Sequence, residues 1–157
     1  MIGKIVTGKS FGGAVRYLLG KEPGKAYILT SDGVELTSRQ ALIGSFEFQR
    51  RARPDVERVV GHISLSFHPD DDPRMSNRLM LDLAREYMQR MEITGTQYLV
   101  VRHTDTKHPH LHILYNRVRY DMTLVPDRNE RLRNMRICKE LKQVYGLTFS
   151  HGKEQVA

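Results

Sequence analysis

The sequence predicts an α+β domain with a central, largely antiparallel β-sheet and flanking helices. Three observations carry this. The 157 residues are the usual length of one domain. Short β-branched runs recur along the chain, and helical spacings fall irregularly between them rather than in strict alternation. The order is mixed, with several strands and three or four helices, which argues for a largely antiparallel sheet.

The elements follow in order. Residues 2–6 read as a strand, and Thr7-Gly8-Lys9-Ser10-Phe11-Gly12-Gly13 as a glycine-rich turn. A short helix then carries Val15, Tyr17, Leu18 and Leu19 and stops at Gly20. Residues 21–24 form a turn and 26–30 a second strand. Thr37 is the expected N-cap of a helix with Leu42, Phe46 and Gln49 on one side, closed by the basic run Arg50-Arg51-Ala52-Arg53-Pro54. In the strand at 59–67, His62, Ser64 and Ser66 point one way and Ile63, Leu65 and Phe67 the other. Ser76 caps an amphipathic helix whose stripe is Leu79, Leu83, Tyr87 and Met91, with Met80, Ala84 and Met88 beside it. After the 97–103 and 110–120 strands, a basic helix over 129–145 ends at Gly146. The residues from 148 onward are polar.

Composition narrows the partner. Lys and Arg number 25 against 18 Asp and Glu, a net charge of +7, and the isoelectric point is about 9.7. That balance favours a polyanion, with nucleic acid the commonest. The 39% hydrophobic content excludes a disordered chain, and no apolar run reaches the roughly 18 residues of a membrane span. The first residues are too quickly polar for a signal peptide. The single cysteine, Cys138, excludes an internal disulfide and a cysteine zinc site and fits a reducing cytoplasm. A metal must therefore use histidines and carboxylates.

Histidines supply such a group. Four of the seven lie in His103-Thr104-Asp105-Thr106-Lys107-His108-Pro109-His110-Leu111-His112. His110, His112, Leu114 and Asn116 share one strand face at period two. If residues 104–109 are a hairpin loop, His103 sits opposite His110, and His103, His110 and His112 converge on one cation with coordination positions left open. Asp105 is placed to orient an imidazole. His108, before Pro109, belongs to the rim of the site.

The pattern His103-x-Asp105-x-x-His108-Pro109-His110-x-His112-x-x-x-Asn116 resembles the third motif of plasmid mobilisation relaxases, the MobA-like class of HUH endonucleases. Gly8-Lys9-Ser10-Phe11-Gly12-Gly13-Ala14-Val15-Arg16-Tyr17-Leu18-Leu19 is similar to the first motif, and His62-Ile63-Ser64-Leu65-Ser66-Phe67 to the second. The likeness is strongest to relaxases of Bacteroides-type mobilisable elements. It implies a permuted RRM or ferredoxin-like palm over residues 1–157 as a single nuclease domain, the N-terminal part of a longer protein. It also implies nicking of single-stranded DNA at a transfer origin, with Mg²⁺ or Mn²⁺ as cofactor. Tyr17 would be the nucleophile, giving a 5′-phosphotyrosine and a free 3′-OH. Asp105 would help to accept the phenolic proton or orient His103. Accessory mobilisation proteins and a coupling protein would be partners in a bacterial cytoplasm.

Rival readings remain open on the residues alone. Tyr17 also fits a core aromatic beside Val15 and Leu18. His108-Pro109-His110-Leu111-His112-Ile113-Leu114 fits the signature of histidine-triad nucleotide hydrolases and transferases, with His110 as nucleophile. A non-catalytic DNA-binding module would leave the histidines inert. The P-loop pattern across Gly3 to Ser10 is a decoy, because it has no room for the strand that must precede its first glycine. DNA contacts are expected from Lys9, Ser10, Arg16, Ser66 and Asn116, and from Arg131, Arg133 and Arg136 within a basic helix face that also holds Arg128, Lys139 and Lys142. Further basic clusters are Arg50, Arg51, Arg53 and Arg58, and Arg117 with Arg119.

Overall fold

The computed structural model describes residues 1–20 and 24–149. The predicted turn at 21–24 and the polar residues from 148 therefore fall largely outside the described residues. The strands are β1 (Ile2–Gly8), β2 (Ala26–Asp32), β3 (Val60–Ser66), β4 (Tyr98–His103) and β5 (His110–Asn116). The helices are α1 (Phe11–Leu19), α2 (Arg39–Arg50), α3 (Asn77–Arg90) and α4 (Glu130–Tyr145), and a 3-10 turn covers Pro69–Arg74. All five strands form one antiparallel sheet in the order β1-β3-β5-β4-β2, as the α+β reading expects.

Both sheet faces carry a core, which explains why β5 is buried along almost its whole length. On one face Ile63, Leu65, Val100, Leu111, Ile113 and Tyr115 pack against Met80, Leu83, Tyr87 and Met88 of α3 and Ile137 and Leu141 of α4. On the other, Val60, Leu99, Val101 and Leu114 meet Phe11, Val15 and Leu18 of α1 and Leu42 and Phe46 of α2. Phe11 and Phe46 stack with ring centroids 4.6 Å apart, locking α1 to α2. The α1–α2 core covers this face around Val60, Leu99 and Leu114 and leaves Ile2 and Val6 of β1 exposed.

Ser76 caps α3 by accepting the Leu79 N–H, and Gly146 closes α4 in the left-handed conformation at φ +63°. Several boundaries differ from expectation: β1 runs on to Gly8 and β2 to Asp32, and α1 opens at Phe11, inside the predicted glycine-rich turn. The cap of α2 is Ser38, whose hydroxyl accepts the Ala41 N–H, and not Thr37. The strand begun at His110 stops at Asn116 and does not reach Tyr120, because the Asn116 side chain accepts the Val118 N–H and turns the chain out of the sheet. Val118 then bridges back to Leu124. The P-loop pattern is a decoy here as well, since Gly3 through Gly8 all lie within β1. Among the described residues no helix is long and apolar enough to cross a membrane.

Candidate active site

The β4–β5 hairpin has the register that the sequence suggests, with His103 opposite His110 and Val101 opposite His112. Directly opposed residues of an antiparallel pair share a face. The three rings accordingly gather with centroids 5.4 Å (His103–His110), 4.4 Å (His103–His112) and 5.2 Å (His110–His112) apart. One nitrogen from each lies within 4.8 Å of the others, so a small inward movement of the rings would bring all three to ordinary metal–nitrogen lengths about one cation.

The outer nitrogens support that fit. His103 Nε2 is 2.9 Å from the Leu18 carbonyl at the end of α1. A carbonyl only accepts, so His103 carries its hydrogen on Nε2 and Nδ1 becomes the candidate donor to a metal. His110 Nδ1 is 3.1 Å from the His108 carbonyl and 3.1 Å from Thr106 Oγ1, which makes Nε2 the donor there. His112 Nδ1 is 2.8 Å from Nε2 of a fourth histidine, His62 on β3. Ligating histidines are characteristically held in this way through the second ring nitrogen. Alternation along the sequence places His62 on the correct face but gives it no role; only the β3–β5 pairing brings it beside His112. Burial, with the nearby His103 ring, holds the His62 imidazole below its usual pKa of 6.5.

Tyr17 stands next to this group. Its helix is anchored by Phe11, Val15 and Leu18 at helical spacing, which turns Tyr17 outward. The residue is 57% exposed, so it is not a core aromatic. Its ring stands edge-on to His62 and His112 at 6.0 and 6.1 Å. Tyr17, His62 and His112 line one cleft of about 340 Å³ with Lys4, Val6, Ala14 and Ser64. Asp105 and His108 lie in the exposed β4–β5 loop. His108 is thus off the strand that holds His110 and His112, and His103 takes the third position of the cluster.

The expected DNA contacts separate. Lys9 is exposed just before α1, 4.0 Å from Glu57, and Arg16 is exposed in the last turn of α1 with its guanidinium reaching back over Gly12. The Ser10 hydroxyl caps α1 by accepting the Gly13 N–H. Ser66 is half-buried on the histidine face, opposite His110. Asn116, expected among the DNA contacts, does not reach the surface. It is fully buried, and its side chain joins Phe46, Gln97 and Val118, so it braces the same sheet face beneath α2, beside the histidines. Arg131, Arg133 and Arg136 belong to α4, which packs on the opposite sheet face from the histidines. Arg133 is turned inward toward the Met91 carbonyl and Glu92. Lys142 is buried, with its ammonium over the Phe149 ring at 4.3 Å, so it leaves the predicted basic face. Other cations brace loops: Arg50 donates to the Lys9 carbonyl, Arg58 to Thr7, and Arg53 pairs with Asp55.

A solved structure from work on the molecular basis of vancomycin resistance transfer in Staphylococcus aureus shares the fold, with a TM-score of 0.55 at 13% identity over 95% of this chain and 96% of that one. No curated protein matches. The family described as "Relaxase: MobA/VirD2-like, nuclease domain" matches residues 17–147, a span that opens on Tyr17 and includes all four clustered histidines. By that match over most of its length, with the antiparallel sheet and histidine-bearing hairpin described above, the chain belongs to the MobA/VirD2-like relaxases, within their nuclease domain.

Proposed function

We propose that this domain nicks single-stranded DNA at a transfer origin by tyrosine transesterification. The observation that carries the reading is the outward Tyr17 ring, edge-on to His112 beside three imidazoles whose ligand atoms lie within 4.8 Å. In the step proposed, the Tyr17 oxygen forms a bond to the scissile phosphorus and the P–O3′ bond breaks. The phenol gives up its proton, with Asp105 as the proposed acceptor, and the departing 3′ oxygen takes one up as the 3′-OH. The phosphodiester energy is kept in the tyrosine ester, so the strand can be rejoined. A divalent cation held by His103, His110 and His112 would withdraw charge from the phosphate oxygens. Mg²⁺ or Mn²⁺ is the proposed ion, although three imidazoles favour later first-row metals in affinity.

The uncovered end of the histidine face supports a route for the strand. Ile2, Lys4 and Val6 of β1 stand opposite Ser66, Ser64 and His62, and Ile2 and Val6 are exposed. In this reading Lys4, Lys9 and Arg16 meet phosphates, while Ser64 and Ser66 offer hydroxyls to the backbone. Accessory mobilisation proteins and a coupling protein remain the proposed partners.

The test is incubation with single-stranded transfer-origin DNA and Mg²⁺ or Mn²⁺, followed by denaturation and peptide mapping. The expected product is a covalent adduct on the peptide containing Tyr17, with a released 3′-OH strand. An adduct on His110 would favour the histidine-triad chemistry. An adduct on another tyrosine would keep the reaction and overturn the assignment of Tyr17.

A further inference from the structure

Two of the three clustered imidazoles lean on main-chain carbonyls, whose hydrogen-bonding sense is fixed. His112 instead leans on a side chain. The two nitrogens at 2.8 Å, His62 Nε2 and His112 Nδ1, share a single hydrogen, so one ring donates and the other accepts. For His112 to direct a lone pair at a cation through Nε2, its hydrogen must sit on Nδ1. His62 must then accept at Nε2 and hold its own hydrogen on Nδ1. The ring planes are tilted by 48° with centroids 5.0 Å apart, so this contact is a hydrogen bond and not a stack. His62 is not itself in the cluster whose ligand atoms converge among the described residues.

The second contact of His62 is to the nucleophile candidate, since the Tyr17 ring meets it edge-on at 6.0 Å. His62 is fixed from below by its strand, in register with Val6 on β1 and Leu114 on β5. One side chain on the middle of the sheet thus touches both the phenol-bearing ring and a metal-ligand ring. A carboxylate in this position would add a negative charge beside an approaching phosphodiester. A neutral imidazole supplies the same acceptor without that repulsion.

We propose that His62 is a positioning residue: it fixes the ring orientation and tautomer of His112 for metal ligation and braces the Tyr17 ring against that ligand. This rests on the metal reading of the cluster given above. The test therefore measures metal binding without DNA, as well as cleavage. Mn²⁺ titrations would compare wild type with His62→Phe, which fills the space without a nitrogen, and His62→Gln, which restores an acceptor. The expected result is an affinity about 10–100-fold weaker in the Phe variant, with most of it recovered in the Gln variant. Nitrogen NMR of His112 in the metal-free protein should show the Nδ1–H tautomer in wild type and its loss in the Phe variant. If Phe does not fold, His62→Ala takes its place in both measurements. Mn²⁺ affinity within about twofold of wild type in a folded variant lacking the nitrogen would overturn the proposal, given the larger loss typical of such partners. If wild type itself binds neither Mn²⁺ nor Zn²⁺, the metal reading falls and takes this proposal with it. Failure of cleavage alone, with the metal titrations as expected, would instead count against the proposed reaction.

Discussion

A single oxygen separates the reactive and the merely structural versions of Tyr17. The residue is 57% exposed and projects from a helix that Phe11, Val15 and Leu18 already anchor. Tyr17→Phe should change stability by no more than about 0.5 kcal/mol, as exposed substitutions do. It should bind metal and DNA normally yet form no adduct, which gel analysis after denaturation would read. Persistence of the adduct would remove Tyr17 from the chemistry. His110→Ala and His112→Ala should divide the functions the other way, abolishing cleavage while retaining most single-strand affinity, because the lysines and arginines proposed to bind the DNA backbone lie outside the histidine cluster. Filter binding and nicking on one oligonucleotide would decide this. His62 adds a pH dependence to the metal-free protein. Its folded pKa is lowered from 6.5, so the unfolded chain binds a proton more readily than the native one. Its contribution is therefore undiminished above that value and is lost as pH falls below it, toward the folded pKa. Melting temperature should drop on acidification from about pH 7.5 to 5.5, and His62→Gln should show a smaller drop.

At the scale of elements, sequence-local information is readable and pairing between distant segments is not. The β4–β5 hairpin, with His103 facing His110, follows from period-two alternation and a short loop. The caps Ser76 and Gly146 are legible because each acts within a few residues of its own helix end. The role of His62 is not, because it depends on β3 lying against β5, fifty residues away in sequence. The end of β5 escapes the pattern for a similar reason. The alternation continues through 117–120, but Asn116 is held by Phe46 on α2 and by Gln97 just before β4, which no local pattern reveals. That residue makes the test. Its side chain donates to the Phe46 carbonyl at 3.2 Å and to Gln97 Oε1 at 3.1 Å, and it accepts the Val118 N–H at 3.0 Å. Asn116→Ala leaves these buried partners unpaired and should destabilise the fold by about 2–4 kcal/mol, at about 1–3 kcal/mol for each unsatisfied group with partial relaxation. Urea unfolding would show it as a lowered midpoint. Loss of nicking with an unchanged midpoint would return Asn116 to the site itself.

Across the whole molecule, the sheet divides the positive charge between two sides. Lys4 lies in the cleft with Tyr17, Lys9 just precedes α1 and Arg16 stands in the last turn of α1, all on the histidine side of the domain. Arg131 and Arg136 are exposed on α4, behind the opposite face. The +7 net charge therefore does not concentrate on one surface, and a strand confined to the cleft does not meet α4. DNA binding by Arg131 and Arg136 requires a strand long enough to leave the cleft and pass around the sheet. The consequence is a dependence on length. Lys4→Ala should weaken binding of a short oligonucleotide centred on the nick and of a longer one alike. Combined Arg131→Ala and Arg136→Ala should weaken only the longer strand. Every phosphate that no longer meets a cation should lower the salt slope of log K by about 0.7 for single-stranded DNA. The double variant should thus lose about 1.4 from the slope on the long strand and nothing on the short one, if both arginines pair with phosphate. Fluorescence anisotropy across a salt series on both lengths measures this directly. An equal loss on both lengths would mean that the α4 cations act through the general field of the protein, and no loss on either would remove α4 from the DNA path.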